Sequence, residues 1–361
     1  MNSHSNVPHA LDLRRDTTDT ETMWILLAIT AALAVPPLPA HTAGRESLEL
    51  ARQLLPEAHP HRTSRYVVLS DGDRELIRSV EHALEEARRQ YDRWCRTMRL
   101  PRAKPEDRLL CILFHNRSDF ISFAEQTEGL GETAALVSGY FSPRFEWIAC
   151  FDPEDSADMA AAATMLADAD ADIQSAEDRG ANPEQIDDAR QRIDNARAEM
   201  LREERARRTA VTIHEAIHQL VHIGEAFPGR RAWPGWLHEG VAVAFETDNH
   251  RKPFGPDRNY PTRADGFREA IEAGHHIPLE TLLAEQTIDH TDGHHVGVLY
   301  DQAGSLISWL YRHKRRELAT FLQQAGVPDS TGLTPDLTTL FTETFGSPTK
   351  IEHRWLADVS Q

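Results

Sequence analysis

The sequence predicts an α+β protein with a small mixed sheet, a pair of helices set into the chain, and a mostly helical remainder. Three observations carry that reading. Runs of strand length rich in apolar residues fall between residues 65 and 151. From 155 to 208 the composition turns to Ala, Asp, Glu, Arg and Gln with no strand formers, and apolar positions recur every three or four residues. Beyond residue 210 the clearest patterned stretches, 211–221, 234–246 and 297–311, again keep helical spacing. The chain therefore divides into a leader (1–45), an N-terminal α/β sheet part (46–152), a helical hairpin insertion (153–209) and a mostly helical part (210–361).

Taking the elements in order, residues 46–60 suggest a short helix, and Arg65 to Ser70 reads as a strand ended by Asp71-Gly72. Leu76, Ile77, Val80, Leu84, Ala87, Tyr91 and Trp94 then describe one stripe of a helix over 73–98, expected to pack on the strand before it. Pro101 and Pro105 break that helix, and Arg108 to Phe114 is a continuous apolar strand followed by a short helix over 118–128. Two strands, 134–141 and 146–151, joined through Ser142-Pro143-Arg144-Phe145, make a hairpin whose edge can hold an extended peptide. Met159, Ala162, Leu166, Ala169, Ile173 and Ala176 are followed, after Gly180-Ala181-Asn182-Pro183, by Ile186, Ala189, Ile193, Ala196 and Met200. Steps alternating between three and four predict an antiparallel coiled-coil hairpin, a thin-seamed arm able to dock a protein partner. Nothing from Leu201 to Val211 forces its second helix to stop.

Composition narrows the function classes. Lys and Arg total 39 against 57 Asp and Glu, a formal charge of -18 with neutral histidine, which argues against a general nucleic-acid role. Cys95, Cys111 and Cys150 are too few for a disulfide framework and lack zinc-ribbon spacing, and a bridge between Cys111 and Cys150 requires neighbouring strands. Residues 23–35 are apolar and precede Pro36-Pro37-Leu38-Pro39-Ala40, as in a signal peptide and its cleavage region. Export is expected, to the periplasm, the cell exterior or a membrane-anchored position held through residues 23–35.

The chemistry concentrates in His214-Glu215-Ala216-Ile217-His218, an H-E-x-x-H motif on the helix spanning 211–221. Histidines four apart lie one turn above the other, so both imidazoles can reach one zinc ion. Glu215 sits about 100° round the helix, where a carboxylate can take a proton from water. Catalytic zinc takes three protein ligands, and Glu239 in Trp236-Leu237-His238-Glu239-Gly240 is the best third candidate, on a second helix that Gly240 would let approach the first. His222 continues the row from His218, but three ligands on one straight helix surround a metal poorly. His238 and Glu246 are candidates for supporting roles around the ligands.

The pairing of H-E-A-I-H with W-L-H-E-G resembles the gluzincin zinc metallopeptidases, the peptidase MA-like group, and within it an uncharacterised bacterial family with H-E-x-x-H-Q-L and W-L-x-E-G segments. The resemblance is looser over 65–151 and more specific over 210–311. It implies a zincin-like fold, one Zn2+ held by His214, His218 and Glu239, and Glu215 as general base. The metzincin pattern is absent, since Val221 and Gly224 stand where it wants glycine and histidine. The helix over 297–311 resembles the later gluzincin helix that brings a tyrosine hydroxyl to the site, which points to Tyr300 as the stabiliser of the oxyanion, with His294 and His295 as alternatives. The expectation is an exported zinc metallopeptidase acting on a peptide or protein. Two alternatives stand beside it: a non-catalytic zincin-fold scaffold that recognises partners through the coiled-coil arm, and a zinc amidase acting on a non-peptide substrate.

Overall fold

A computed structural model describes residues 43–359 apart from 103, 106, 153–156, 259, 289–291, 329 and 331. The apolar segment 23–35 lies outside the described residues, among which no helix is long and apolar enough to cross a membrane. Among the described residues the fold is α+β, with one five-stranded mixed sheet.

The chain opens with helix α1 (Ala43–Leu54), strands β1 (His59–Arg62) and β2 (Tyr66–Ser70), and the long helix α2 (Arg74–Met98). It continues through β3 (Leu109–Phe114), α3 (Arg117–Glu128), the single turn α4 (Gly131–Ala134), β4 (Gly139–Phe141) and β5 (Trp147–Phe151). The sheet order is β1-β2-β3-β5-β4. The pairs β2-β3 and β3-β5 are parallel and the two outer pairs antiparallel. Every residue of β2, β3 and β5 is buried, which is why these strands read as unbroken apolar runs rather than as alternations.

Three expectations in this half change. β1 was absent from the pattern because His59-Pro60-His61-Arg62 carries no apolar signal; it occurs at the sheet edge, where a proline lacking its N–H is tolerated. The hairpin strand expected over 134–141 is only Gly139–Phe141, because α4 and a turn take up the residues before it and leave Leu136 exposed. Helix α2 meets β2, but packs more extensively on the helix that carries the H-E-x-x-H motif. Its first turn is closed by Asp73, whose Oδ1 accepts from the N–H groups of Glu75 and Leu76 at 2.7 and 2.8 Å.

Two helices follow, α5 (Ala157–Asp178) and α6 (Pro183–Ile223). They fold back on each other and exchange ion pairs between Arg190 and Glu177 and between Arg197 and Asp170. Helix α6 runs without a break from this exposed pair into the core, and stops where the Gly224 N–H donates to Leu220. The remaining helices are α7 (Gly235–Val243), α8 (Pro261–Glu272), α9 (Leu279–Ala284), α10 (Gly293–His313), α11 (Arg315–Gln324), α12 (Leu337–Phe345) and α13 (Pro348–Val359). Gly240 does permit a close helix approach, but to α10 rather than to α6. A Cβ there would stand 3.0 Å from the backbone of Ala303, and one on Gly304 would stand 2.3 Å from Val243. The two glycines thus bring α7 and α10 together, and Tyr300 on α10 comes to lie beside His214.

Candidate metal centre

Helix α6 brings its polar residues to the site because the rest of that segment is pinned on every side. Val211, Ile213, Ala216, Ile217 and Leu220 are buried among the sheet, α2 and α7. Gln219, next after His218, is fully buried and its Nε2 donates to the carbonyls of Leu110 at 3.1 Å and Glu146 at 2.7 Å, tying the helix to β3 and to the turn before β5. Arg208 pairs with Asp152 just past β5 at 2.8 Å. The rotation of α6 is thereby fixed, and His214, Glu215 and His218 face inward.

His214 Nε2 lies 3.0 Å from Glu239 Oε2 and 3.0 Å from His218 Nε2, and His218 Nε2 lies 3.4 Å from the same carboxylate oxygen. All three residues are buried, and they form a group that can hold a metal ion. The separations fit zinc: donors about 2.0–2.2 Å from one ion at tetrahedral angles stand about 3.3 Å apart. The donor set fits as well, since two imidazole nitrogens that face each other need either a shared proton or a cation between them. Burial alone would keep His214 neutral, but Glu239 and Glu246 outweigh it and raise its pKa to about 10. Burial would likewise raise Glu239, yet the two histidines bring it down to about 2. The pocket thus favours positive charge facing this carboxylate.

The second ring nitrogen of His214 is also occupied. Its Nδ1 donates to Glu246 Oε1 at 2.8 Å, which turns Nε2 toward Glu239 and His218. Glu246 follows the end of α7, so the reach to His214 is made from a loop rather than from a continuing helix. Burial works to raise its pKa, but Arg263 and His214 hold it below the ordinary carboxylate range.

Glu215 is fully buried, and burial is the main cause that raises its pKa to about 6. The backbone N–H of Phe141 on edge strand β4 works to lower that pKa, while Oε2 is buried with no hydrogen-bond partner among the described residues. A buried carboxylate with an unsatisfied oxygen, beside three converging donors, is the arrangement that a proton acceptor needs.

The remaining candidates separate. Tyr300 is buried, with its ring parallel to that of His214 at 6.1 Å and an interplanar angle of 8°. His238 lies close by, its ring 6.4 Å from that of His218 and 5.5 Å from that of Trp233, outside the donor group. His222 turns to β4 and the turn after it: its ring is 5.3 Å from that of Phe141 and its Nε2 4.0 Å from Glu146. His294 meets His275, ring centroids 4.9 Å apart, and His295 Nε2 lies 3.3 Å from Glu285, so both engage groups other than His214, His218 and Glu239.

Two residues that sequence reasoning passed over belong to the site. Arg263 on α8 pairs with Glu246, and Asp301 on α10 pairs with Arg263. Neither belongs to a spacing motif; Pro261 at the start of α8 and the position of Asp301 beside Tyr300 were the available signals.

Residues 208–328 match a family described as a protein of unknown function (DUF1570), a stretch that contains His214, Glu215, His218, Glu239, Glu246, Arg263 and Asp301. No curated protein and no solved structure matches the chain.

Proposed function

We propose that the protein is a zinc-dependent metallopeptidase of gluzincin type, with a zincin-like core and a coiled-coil arm made by α5 and the first half of α6. The observation that carries this reading is the convergence of His214, His218 and Glu239 beside a carboxylate, Glu215, one of whose oxygens is buried without a partner among the described residues. A binding scaffold has no need of that fourth group. Bound zinc would supply Lewis acidity, lowering the pKa of water toward neutrality and polarising a substrate carbonyl.

The protein's own residues would do the rest. Glu215 accepts a proton from water at Oε2, holds it in a buried pocket, and delivers it to the leaving nitrogen as the amide breaks. Glu246 keeps the His214 proton on Nδ1, leaving Nε2 as a ligand. Edge strand β4, whose Phe141 N–H acts on the Glu215 carboxylate, offers main-chain groups to an extended peptide beside the site. Tyr300, behind His214 on α10, is the proposed donor to the oxyanion.

The test is an unbiased peptide-library digest with and without chelator, for the wild-type protein and Glu215→Gln. Chelator-sensitive cleavage that disappears in Glu215→Gln, with zinc retained, is the expected result. Cleavage that survives chelation or the substitution removes the mechanism. Absence of cleavage by a protein that holds its zinc would favour the scaffold or the non-peptide amidase.

A further inference from the structure

Beyond the three ligands and the base, we propose that Arg263, anchored by Asp301, is a positioning residue for the metal centre: it locks the carboxylate that orients His214. This rests on the reading of His214 as a metal ligand. The chain of contacts is short and buried. Arg263 Nε donates to Glu246 Oε2 at 2.7 Å and Nη2 donates to Glu246 Oε1 at 3.1 Å, a two-point grip on one carboxylate. The remaining arm, Nη1, donates to Asp301 Oδ1 at 2.9 Å. The Glu246 side chain is fully buried, and that of Arg263 is 12 % exposed.

A carboxylate can rotate about its terminal bond, and a single contact from His214 would not stop it. The fork does, because both oxygens are engaged from one planar group whose geometry lysine cannot copy. Glu246 Oε1 is then left aimed at His214 Nδ1, and the imidazole is held at the angle that turns Nε2 to Glu239 and His218. The guanidinium also lies 5.8 Å from the ring centroid of Tyr300, which in turn stacks on His214. Arg263 therefore braces the ligand by two routes, one through Glu246 and one through Tyr300.

The approach of Asp301 is built in as well. A Cβ on Gly266 would stand 2.3 Å from Asp301 Oδ2, so α8 carries a glycine where the carboxylate comes in to meet Arg263. Three segments, the loop after α7, α8 and α10, meet at this one guanidinium. An arginine serving only to join helices would not need a fork directed at the carboxylate that touches a ligand.

The experiment uses the full-length chain and zinc alone as the probe, with the Kd taken by competition against a chromophoric chelator and folding followed by circular dichroism. Arg263→Gln and Arg263→Lys should both remain folded and weaken zinc binding by about 10–100-fold, the usual loss when a supporting partner of a ligand is removed. Failure of Lys to restore affinity marks the fork, rather than the charge, as the active feature. Asp301→Asn, which keeps the grip on Glu246 but loosens its anchor, should weaken zinc by a smaller factor. The visible spectrum of the cobalt(II)-loaded variants should shift with the reoriented imidazole. Wild-type affinity and an unshifted spectrum in the folded Arg263 variants would overturn the proposal; should those variants not fold, wild-type affinity in Asp301→Asn would do so. If the wild-type chain itself binds no zinc, the ligand reading falls too; if it binds zinc and the variants match it, the positioning role alone falls.

Discussion

Helix α6 passes through two environments, and the contrast between them explains what its polar residues do. In its first half, through Arg202, charged side chains stand in solvent and pair along the helix or with α5, as Arg202 does with Glu199 and Arg197 with Asp170. In its second half, from Arg208 to Val221, every residue is buried, including His214, Glu215, His218 and Gln219. Spacing is helical throughout, yet a charge in the first half relieves nothing but local repulsion, whereas each polar group in the second half must have a partner or a task. Burial, not periodicity, separates the arm from the site.

That contrast breaks most readily at Glu215, the proposed base. Glu215→Gln should reduce amide hydrolysis by about 10²–10⁴-fold, the share typical of a positioned proton acceptor, with zinc content unchanged. Steady-state kinetics together with metal analysis reads both quantities, and an active variant would place Glu215 among the structural polar residues. Next in size is Arg208→Ala, which breaks the buried ion pair with Asp152 and should cost about 3–5 kcal/mol in denaturant unfolding. Gln219→Leu should follow: the buried carbonyl of Leu110 and the half-buried one of Glu146 lose this donor, for about 1–3 kcal/mol, and because this side chain holds the helix against β3, zinc affinity should fall alongside stability. The smallest effect belongs to the arm. Arg202→Ala removes an exposed pair, so its unfolding free energy should stay within about 0.5 kcal/mol of wild type and its zinc affinity should not move. A large effect there would show that the first half of α6 communicates with the second.

The same contrast marks what was legible beforehand. The strands Tyr66–Ser70 and Leu109–Phe114 and the helix Arg74–Met98 were readable because each announces its burial through apolar residues in an unambiguous pattern. The continuity of α6 was readable from the lack of a breaker before Val211, and the group His214, His218 and Glu239 from motif spacing. β1 was hidden because an edge strand made of His, Pro and Arg relies on pairing with β2 rather than on its own apolar face. The partner of Gly240 was misjudged because a glycine signals close approach without saying to what, and α10 lies more than fifty residues further along the chain. Arg263 and Asp301 belong to no spacing motif, since an ion pair joining α8 to α10 depends on how the helices pack. Ligands on one helix follow from local geometry; the groups that orient them come from wherever the fold brings a complementary charge.

The most direct measurement is the zinc content of purified wild-type protein and of Glu239→Ala, determined by elemental mass spectrometry after dialysis against metal-free buffer. One zinc per chain in the wild type and a loss of stoichiometric zinc in the variant is the predicted result. Stoichiometric zinc retained by Glu239→Ala, or none bound by the wild type, would contradict the account of His214, His218 and Glu239 as a metal centre.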